Sequence, residues 1–185
     1  MSTSINERQI ICLPIDKHFI SIRGLSPKKL RFEIEYALER GSTANSFLIS
    51  SADQTILIHP PGIAYGEIFL NTLKEHLAKQ RNQLMVIVGH INPNRIALLK
   101  ELSNIYSDIT LVCSSPGAKL LKDLWLQEKP SQAKASSEAL PTSLPNIRLI
   151  KEEATICLNN GYELLLIPTP TARWPGGLIA FEKNL

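Results

Sequence analysis

The sequence predicts a mixed α/β protein, a sheet with helices packed against it. Met85–Val88 reads as a buried strand that runs into Gly89–His90 and breaks at Asn92–Pro93–Asn94. A helix follows with Ile96, Leu99, Leu102 and Ile105 on one face. Strand and helix patterns alternate through the middle of the chain, and hairpin patterns flank that stretch at both ends.

Taken in order, Ile10 to Leu13 and Phe19 to Ile22 lie on either side of Pro14 and Asp16 and predict a hairpin at a sheet edge. From Leu30 to Leu38 apolar and charged residues mix. The alternation of Phe32, Ile34 and Tyr36 favours a strand there, with a helix as the alternative. After the turn at Gly41–Ser42–Thr43, Asn45 to Ser50 and Thr55 to His59 read as two strands joined at Ser51–Gln54. Pro60–Pro61–Gly62 stops the second. Tyr65, Ile68, Phe69, Leu73 and Leu77 recur at helical spacing and predict a helix from Tyr65 to Gln80.

Beyond the central strand and helix, Ile109 to Cys113 reads as a strand. Ser114–Ser115–Pro116 then opens a helix to Gln127, because proline in a first turn loses no needed donor. Glu128 to Asn146, with three prolines and many small polar residues, reads as a mobile surface insertion. Short strands follow at Ile147–Ile150, Thr155–Leu158, Glu163–Ile167 and Leu178–Phe181, and no segment repeats.

The bulk numbers narrow the class. A chain of 185 residues, 44% hydrophobic and 20% charged, is a globular protein of one domain rather than a disordered one. Its net charge of +3 comes from scattered Lys and Arg without interleaved aromatics, which argues against nucleic acid as a partner. The N-terminal residues lack the basic-then-apolar pattern of a secretory signal. No run approaches the roughly 18 apolar residues of a membrane span. Cys12, Cys113 and Cys157 lie far apart, form no CxxC pair and sit in or beside apolar runs, so they read as buried, reduced thiols of a cytosolic protein.

Few residues can carry chemistry. His90 stands at a strand end, where α/β proteins place sites, yet a lone histidine there is more often a structural hydrogen-bonding residue than a ligand. Asn92 before Pro93 has a structural reading of its own, a helix N-cap followed by proline at the first helical position. His59 ends a strand and either approaches a site or, the preferred reading, tucks against Pro60 and Pro61. His18 and His76 read as loop and helix-surface residues. There is no GxSxG, no cysteine beside a histidine and no glycine-rich phosphate loop. Arg173 to Gly177 forms a rigid turn after Ile167–Pro170; Trp174 packs there, while Arg173 has no apolar reason to be present.

The segments LRFEIEYALERGSTANSFLI, HPPGIAYGEIFLNTL, VIVGHINPNRIALLKEL, VCSSPGAKLLKDL and IPTPTARWPGGLIAF, in this order, resemble the N-terminal part of a flavodiiron protein (diflavin flavoprotein) of oxygenic photosynthetic microbes. The resemblance implies a metallo-β-lactamase-like αββα sandwich, here C-terminally truncated. It also implies one incomplete domain over residues 1–185, without the family's flavodoxin-like and flavin-reductase domains. Metal-competent members carry H-x-E-x-D-H, which holds two irons that reduce dioxygen to water. His90 matches the first ligand; Asn92 stands for the glutamate, Asn94 for the aspartate and Arg95 for the next histidine. In the later turn Arg173, before Trp174–Pro175–Gly176, stands where the family has a ligand histidine.

Neutral amides do not offset two iron charges, and a guanidinium is never a ligand. The resemblance is therefore to the divergent members, with a degenerate di-iron site at His90, Asn92, Asn94, Arg95 and Arg173. No metal, catalytic or cofactor-binding residue is assigned. No cofactor is expected in this chain, although the family uses di-iron and FMN. The expected role is a partner subunit or remnant of an NAD(P)H- or ferredoxin-linked system that reduces dioxygen to water. The family is one of oxidoreductases, and this chain alone is expected to be inactive. The alternative is a non-catalytic binding or regulatory module on the same fold; a metallo-hydrolase would need an HxHxDH cluster that is missing. The resemblance further implies a cytoplasmic protein that forms a homo-oligomer or a hetero-oligomer with a metal-competent paralogue. Arg95 and Arg173 would meet near His90, toward which the helix after Asn94 points its positive end, and hold an anion unless Glu152 or Glu153 closes the pocket as an internal salt bridge.

Overall fold

The computed structural model describes residues 8–27, 31–32, 36–37, 41–78, 83–126, 143–169 and 176–184. Gln9–Asp16 (β1) and Phe19–Ser26 (β2) form the expected edge hairpin, in antiparallel register from Gln9↔Leu25 to Leu13↔Ser21. Among the described residues, Arg31–Phe32 (β3) and Tyr36–Ala37 (β4) pair only with each other. The single strand expected over Leu30–Leu38 is thus a correction: the chain folds back there. Phe32 and Tyr36 are register partners across that pair, whereas their spacing in the sequence reads as the alternation of one continuous strand.

Ser42–Ser50 (β5) and Gln54–Ile58 (β6) complete the antiparallel half of the main sheet. A short 3₁₀ turn at Ile63–Tyr65 leads into Gly66–Leu77 (α1), then Gln83–Ile87 (β7) and Pro93–Ile105 (α2). Ile109–Ser114 (β8), Ser115–Leu126 (α3) and Asn146–Ile150 (β9) follow. The insertion expected at Glu128–Asn146 lies outside the described residues as far as position 142. Ala154–Cys157 (β10), Glu163–Thr169 (β11) and Gly177–Glu182 (β12) make a second sheet.

The seven-stranded sheet has the order β1-β2-β5-β6-β7-β8-β9, antiparallel as far as β6 and parallel from β6 to β9. Parallel neighbours need a crossover, and α1, α2 and α3 lie on the connections, against one face of the sheet. On that face Leu84, Val86 and Val88 meet Phe69 and Leu73 of α1, Leu98, Leu99 and Leu102 of α2, and Leu121 and Trp125 of α3. On the other face Met85, Ile87, Val112 and Ile150 meet Ile156, Leu164, Leu166 and Leu178 of the small sheet. Burial on both faces explains the unbroken apolar run of β7.

Ile105, expected on the packed stripe, is the last residue of α2 and is 38% exposed; Leu98 is buried in its stead. Steps of three residues fall about 60° short of a full turn, so such a stripe drifts around the helix.

The result is the two-sheet sandwich that the resemblance implied. Among the described residues its helices all lie on the large sheet, and none covers the outer face of β10–β12. The sheets are tied at one end by the β10–β11 turn. There the Tyr162 hydroxyl donates to Asp16 Oδ2 at 2.7 Å, and Asn160 Nδ2 donates to the Ser50 carbonyl at 2.9 Å.

Only Cys113 is buried; Cys12 and Cys157 are exposed, against the expectation of three buried thiols. Both lie at sheet margins among the described residues. Cys157 of β10 alternates with the core residue Ile156, and Cys12 of β1 shares the helix-side face of its register partner Ile22, at the margin of the layer that α1 provides. His18 and His76 are exposed, as their sequence context suggests. No helix among the described residues is long and apolar enough to cross a membrane.

Candidate degenerate metal centre

Because β6, β7 and β8 are parallel neighbours, their carboxyl ends lie side by side, the place where open α/β sheets assemble sites. The end of β6 delivers His59, the end of β7 delivers Gly89–His90, and β8 ends at Ser114. The base of the β11–β12 hairpin joins them. Leu178 N–H points to the Gly89 carbonyl at 3.4 Å, and Ser114 Oγ donates to the Gly176 carbonyl at 2.9 Å while accepting from Gly117 N–H at 3.2 Å. Arg173 itself lies outside the described residues; its flanks, Thr169 and Gly176, border this cluster.

Asn92 takes the structural role that its sequence context offered. Its backbone is extended, Pro93 follows at the first helical position, and Oδ1 accepts the Arg95 N–H at 2.9 Å. The amide oxygen that would replace a carboxylate ligand is thus engaged as a helix cap. Asn94 is exposed on the first turn, with its Cβ against Gly62.

Arg95 folds back over the start of its own helix. Its Nε donates to the Pro60 carbonyl at 3.1 Å and Nη1 to the His90 carbonyl at 3.3 Å. One guanidinium therefore ties the loop after β6 to the loop after β7. No acidic residue occupies the first turn of α2, so the arginine adds positive charge to the positive end of the helix. Glu152 and Glu153, the expected alternative partners, are exposed.

His59 is the residue that the sequence reading set aside. It adopts φ +60°, unusual for a side chain other than glycine, asparagine or aspartate. Its N–H donates to the Ile87 carbonyl at 3.0 Å, and its carbonyl accepts from the buried Ser46 hydroxyl at 2.8 Å. The ring lies against Gly89, closer than a Cβ there would tolerate. Burial, then the charges of Arg95 and His90, push its pKa down to about 4. His90 is also lowered, by burial and then Arg95, and burial lowers the guanidinium of Arg95 itself. The strand pairing Ile58↔Ile87 accounts for the place of His59, since it sets the residues after β6 beside those after β7, and no local sequence signal carries that pairing.

The donor set does not fit two irons. Among the described residues no three His, Cys, Asp or Glu side chains converge. The positions that match the family's carboxylates hold neutral amides, one already capping a helix, and the next holds a cation already hydrogen-bonded to two carbonyls.

No family model matches the sequence. Among curated proteins it is similar to diflavin flavoprotein A 4 of Nostoc sp., 34% identical over 99% of this chain and 29% of that protein. It is likewise similar to diflavin flavoprotein A 6 of Nostoc sp., 40% identical over 96% of this chain and 28% of that one. The chain thus spans less than a third of the length of the curated relatives it matches. Among solved structures, the fragment 1–254 of diflavin flavoprotein A 5 from Nostoc sp. superposes with a TM-score of 0.78 at 35% identity, over 95% of this chain and 63% of that one. A metal-soaked flavodiiron core from Synechocystis sp. gives 0.77 at 34% identity, over 95% of this chain and 40% of that one. A flavoprotein from Thermotoga maritima, at 16% identity and a TM-score of 0.74, shares the fold.

Proposed function

Because the chain belongs to the flavodiiron proteins of the diflavin flavoprotein A type, with their metallo-β-lactamase-like core, we propose that it is a divergent, metal-poor member of that family. In this reading it works as a partner subunit, or survives as a remnant, of an NAD(P)H- or ferredoxin-linked system that reduces dioxygen to water. Arg95 carries the proposal. In place of a ligand histidine, a guanidinium bridges the Pro60 and His90 carbonyls, and that arrangement repels cations.

The purified chain is expected to hold far less than one iron or zinc per molecule and to consume no oxygen with NAD(P)H. Mixed with a metal-competent diflavin flavoprotein, it is expected to co-elute and alter that partner's oxygen uptake. Elemental analysis close to two metals per chain, resistant to a mild chelator, would defeat the degenerate-site reading. Absence of co-elution and of any change in uptake would defeat the partner role.

The same reading gives the vacated position to an anion held by Arg95 and Arg173 near His90, at the acid-free start of α2. A crystal grown in bromide should show anomalous density within hydrogen-bonding reach of both arginines. Arginines directed apart, or a carboxylate between them, would end this assignment.

A further inference from the structure

The turn between β10 and β11, which ties the two sheets, carries the single Asn–Gly pair of the chain, Asn160–Gly161. Such a pair is self-reactive: the glycine nitrogen can attack the asparagine Cγ, and glycine has no side chain to hinder the approach. The turn is closed by Leu158 N–H to the Tyr162 carbonyl at 2.9 Å and by Gly161 N–H to the Leu158 carbonyl at 3.1 Å. Gly161 lies at φ +92°, and a Cβ there would meet nothing within 4 Å. Conformation rather than crowding therefore calls for glycine.

The two asparagines of the turn are used differently. Asn159 is exposed and offers its oxygen, Oδ1 accepting the Ala52 N–H at 3.4 Å. Asn160 is half-buried and offers its nitrogen, Nδ2 donating to the Ser50 carbonyl at 2.9 Å. Its Oδ1 is buried and has no hydrogen-bond partner among the described residues. Conversion of an amide to a carboxylate keeps the acceptor and deletes the donor. At Asn159 that change is nearly neutral. At Asn160 it sets an oxygen against the Ser50 carbonyl and leaves a charge with no donor to meet it.

We propose that Asn160–Gly161 is a covalent modification site, a deamidating latch between the two sheets that the folded turn restrains. Gly161 N gives up its proton to a base in solvent and bonds to Asn160 Cγ. The Cγ–Nδ2 bond breaks, ammonia leaves and a succinimide closes. Water then opens the ring at either carbonyl, giving an aspartyl or an isoaspartyl residue. One water is taken up and one ammonia released, with no change of oxidation state. The fold holds back both nitrogens: the proton that must leave Gly161 is donated to Leu158, and the leaving nitrogen is donated to Ser50. Reaction waits for the turn to open, and the neighbouring bond from the Tyr162 hydroxyl to Asp16 opposes that opening. Once converted, the residue no longer donates to Ser50, and the latch stays released.

The test ages the full chain in mildly alkaline buffer, folded and in guanidinium chloride, and maps conversion by mass spectrometry of its peptides. Asn160 should convert before every other asparagine in the denatured chain, and about tenfold or more slowly in the folded one. Tyr162→Phe and Asp16→Ala each remove the neighbouring bond. Each should speed conversion severalfold in the folded chain and leave the denatured rate unchanged. Asn160→Asp, which installs the product, should melt about 3 °C or more below the parent, with Asn159→Asp close to the parent. Folded conversion as fast as denatured, a folded rate that neither substitution moves, or equal melting of Asn160→Asp and Asn159→Asp overturns the proposal. The turn packs near the start of β6, whereas His59 follows its end. Stoichiometric iron at His90 would therefore defeat the proposed function and leave the latch standing.

Discussion

Gly89→Ala is expected to destabilise the protein by about 3 kcal/mol, the upper part of the range for forcing atoms into a packed interior. For a chain of this size that corresponds to a fall in Tm of about 6–12 °C. A Cβ on Gly89 would stand 2.3 Å from the Leu178 carbonyl oxygen and 2.7 Å from Cε1 of His59. The first of these atoms belongs to backbone that is paired to β11, so it cannot swing aside as a side-chain tip would. Relief requires the β12 strand to retreat from the end of β7, which loosens the contact between the two sheets at the candidate centre. Gly62→Ala is the matched control. Its backbone is extended at φ −79°, and the nearest atom to a Cβ there is the Asn94 Cβ at 3.3 Å, so a loss below about 1 kcal/mol is expected. Thermal melts of the two variants decide the matter. Equal melting temperatures would show that Gly89 is not held against β12 as described.

The elements that were legible in the sequence are those whose signals are local. The Asn92–Pro93 start of α2 could be read directly, because a cap and a first-turn proline act within four residues. The continuous apolar run of β7 likewise announced burial on both faces. What stayed hidden depends on strand order. Nothing near His59 in the chain says that β6 pairs in parallel with β7 and sets the residues that follow beside Gly89 and His90. Cys12 sits in an apolar run, but β1 is an edge strand among the described residues, and only the sheet order reveals that it lies at the margin of the helix layer rather than under it. The fold-back at β3 and β4 failed for a related reason, since two facing pairs and one alternating strand write the same pattern. At the candidate centre the family's motif positions were readable from the resemblance. That Arg95 turns back to tie the two loops, at the Pro60 and His90 carbonyls, was not.

His59 should make the fold acid-sensitive well above the pH at which carboxylates protonate. Its pKa is pushed from the ordinary 6.5 to about 4, chiefly by burial and further by the positive charges of Arg95 and His90. The folded state therefore prefers the neutral ring. Above pH 6.5 both folded and unfolded chains carry it neutral, and the group contributes nothing to the pH dependence. As pH falls from 6.5 the unfolded chain takes up the proton first, and stability declines until the folded form also protonates near pH 4. Across that window the loss amounts to about 3 kcal/mol. His90, lowered by burial and by Arg95, acts with the same sign. The Asp16 carboxyl, lowered chiefly by the Tyr162 hydroxyl from its ordinary 3.8, loses its contribution only as pH falls below this range. His59→Asn isolates the effect, because asparagine tolerates φ +60° and does not titrate. Urea unfolding at stepped pH should show the parent losing about 3 kcal/mol more than the variant between pH 6.5 and 4, whatever their difference at neutral pH. Parallel profiles would mean that the ring is hydrated in the folded state. His59 would then not be wedged against Gly89 beside the two cationic neighbours that the geometry gives it.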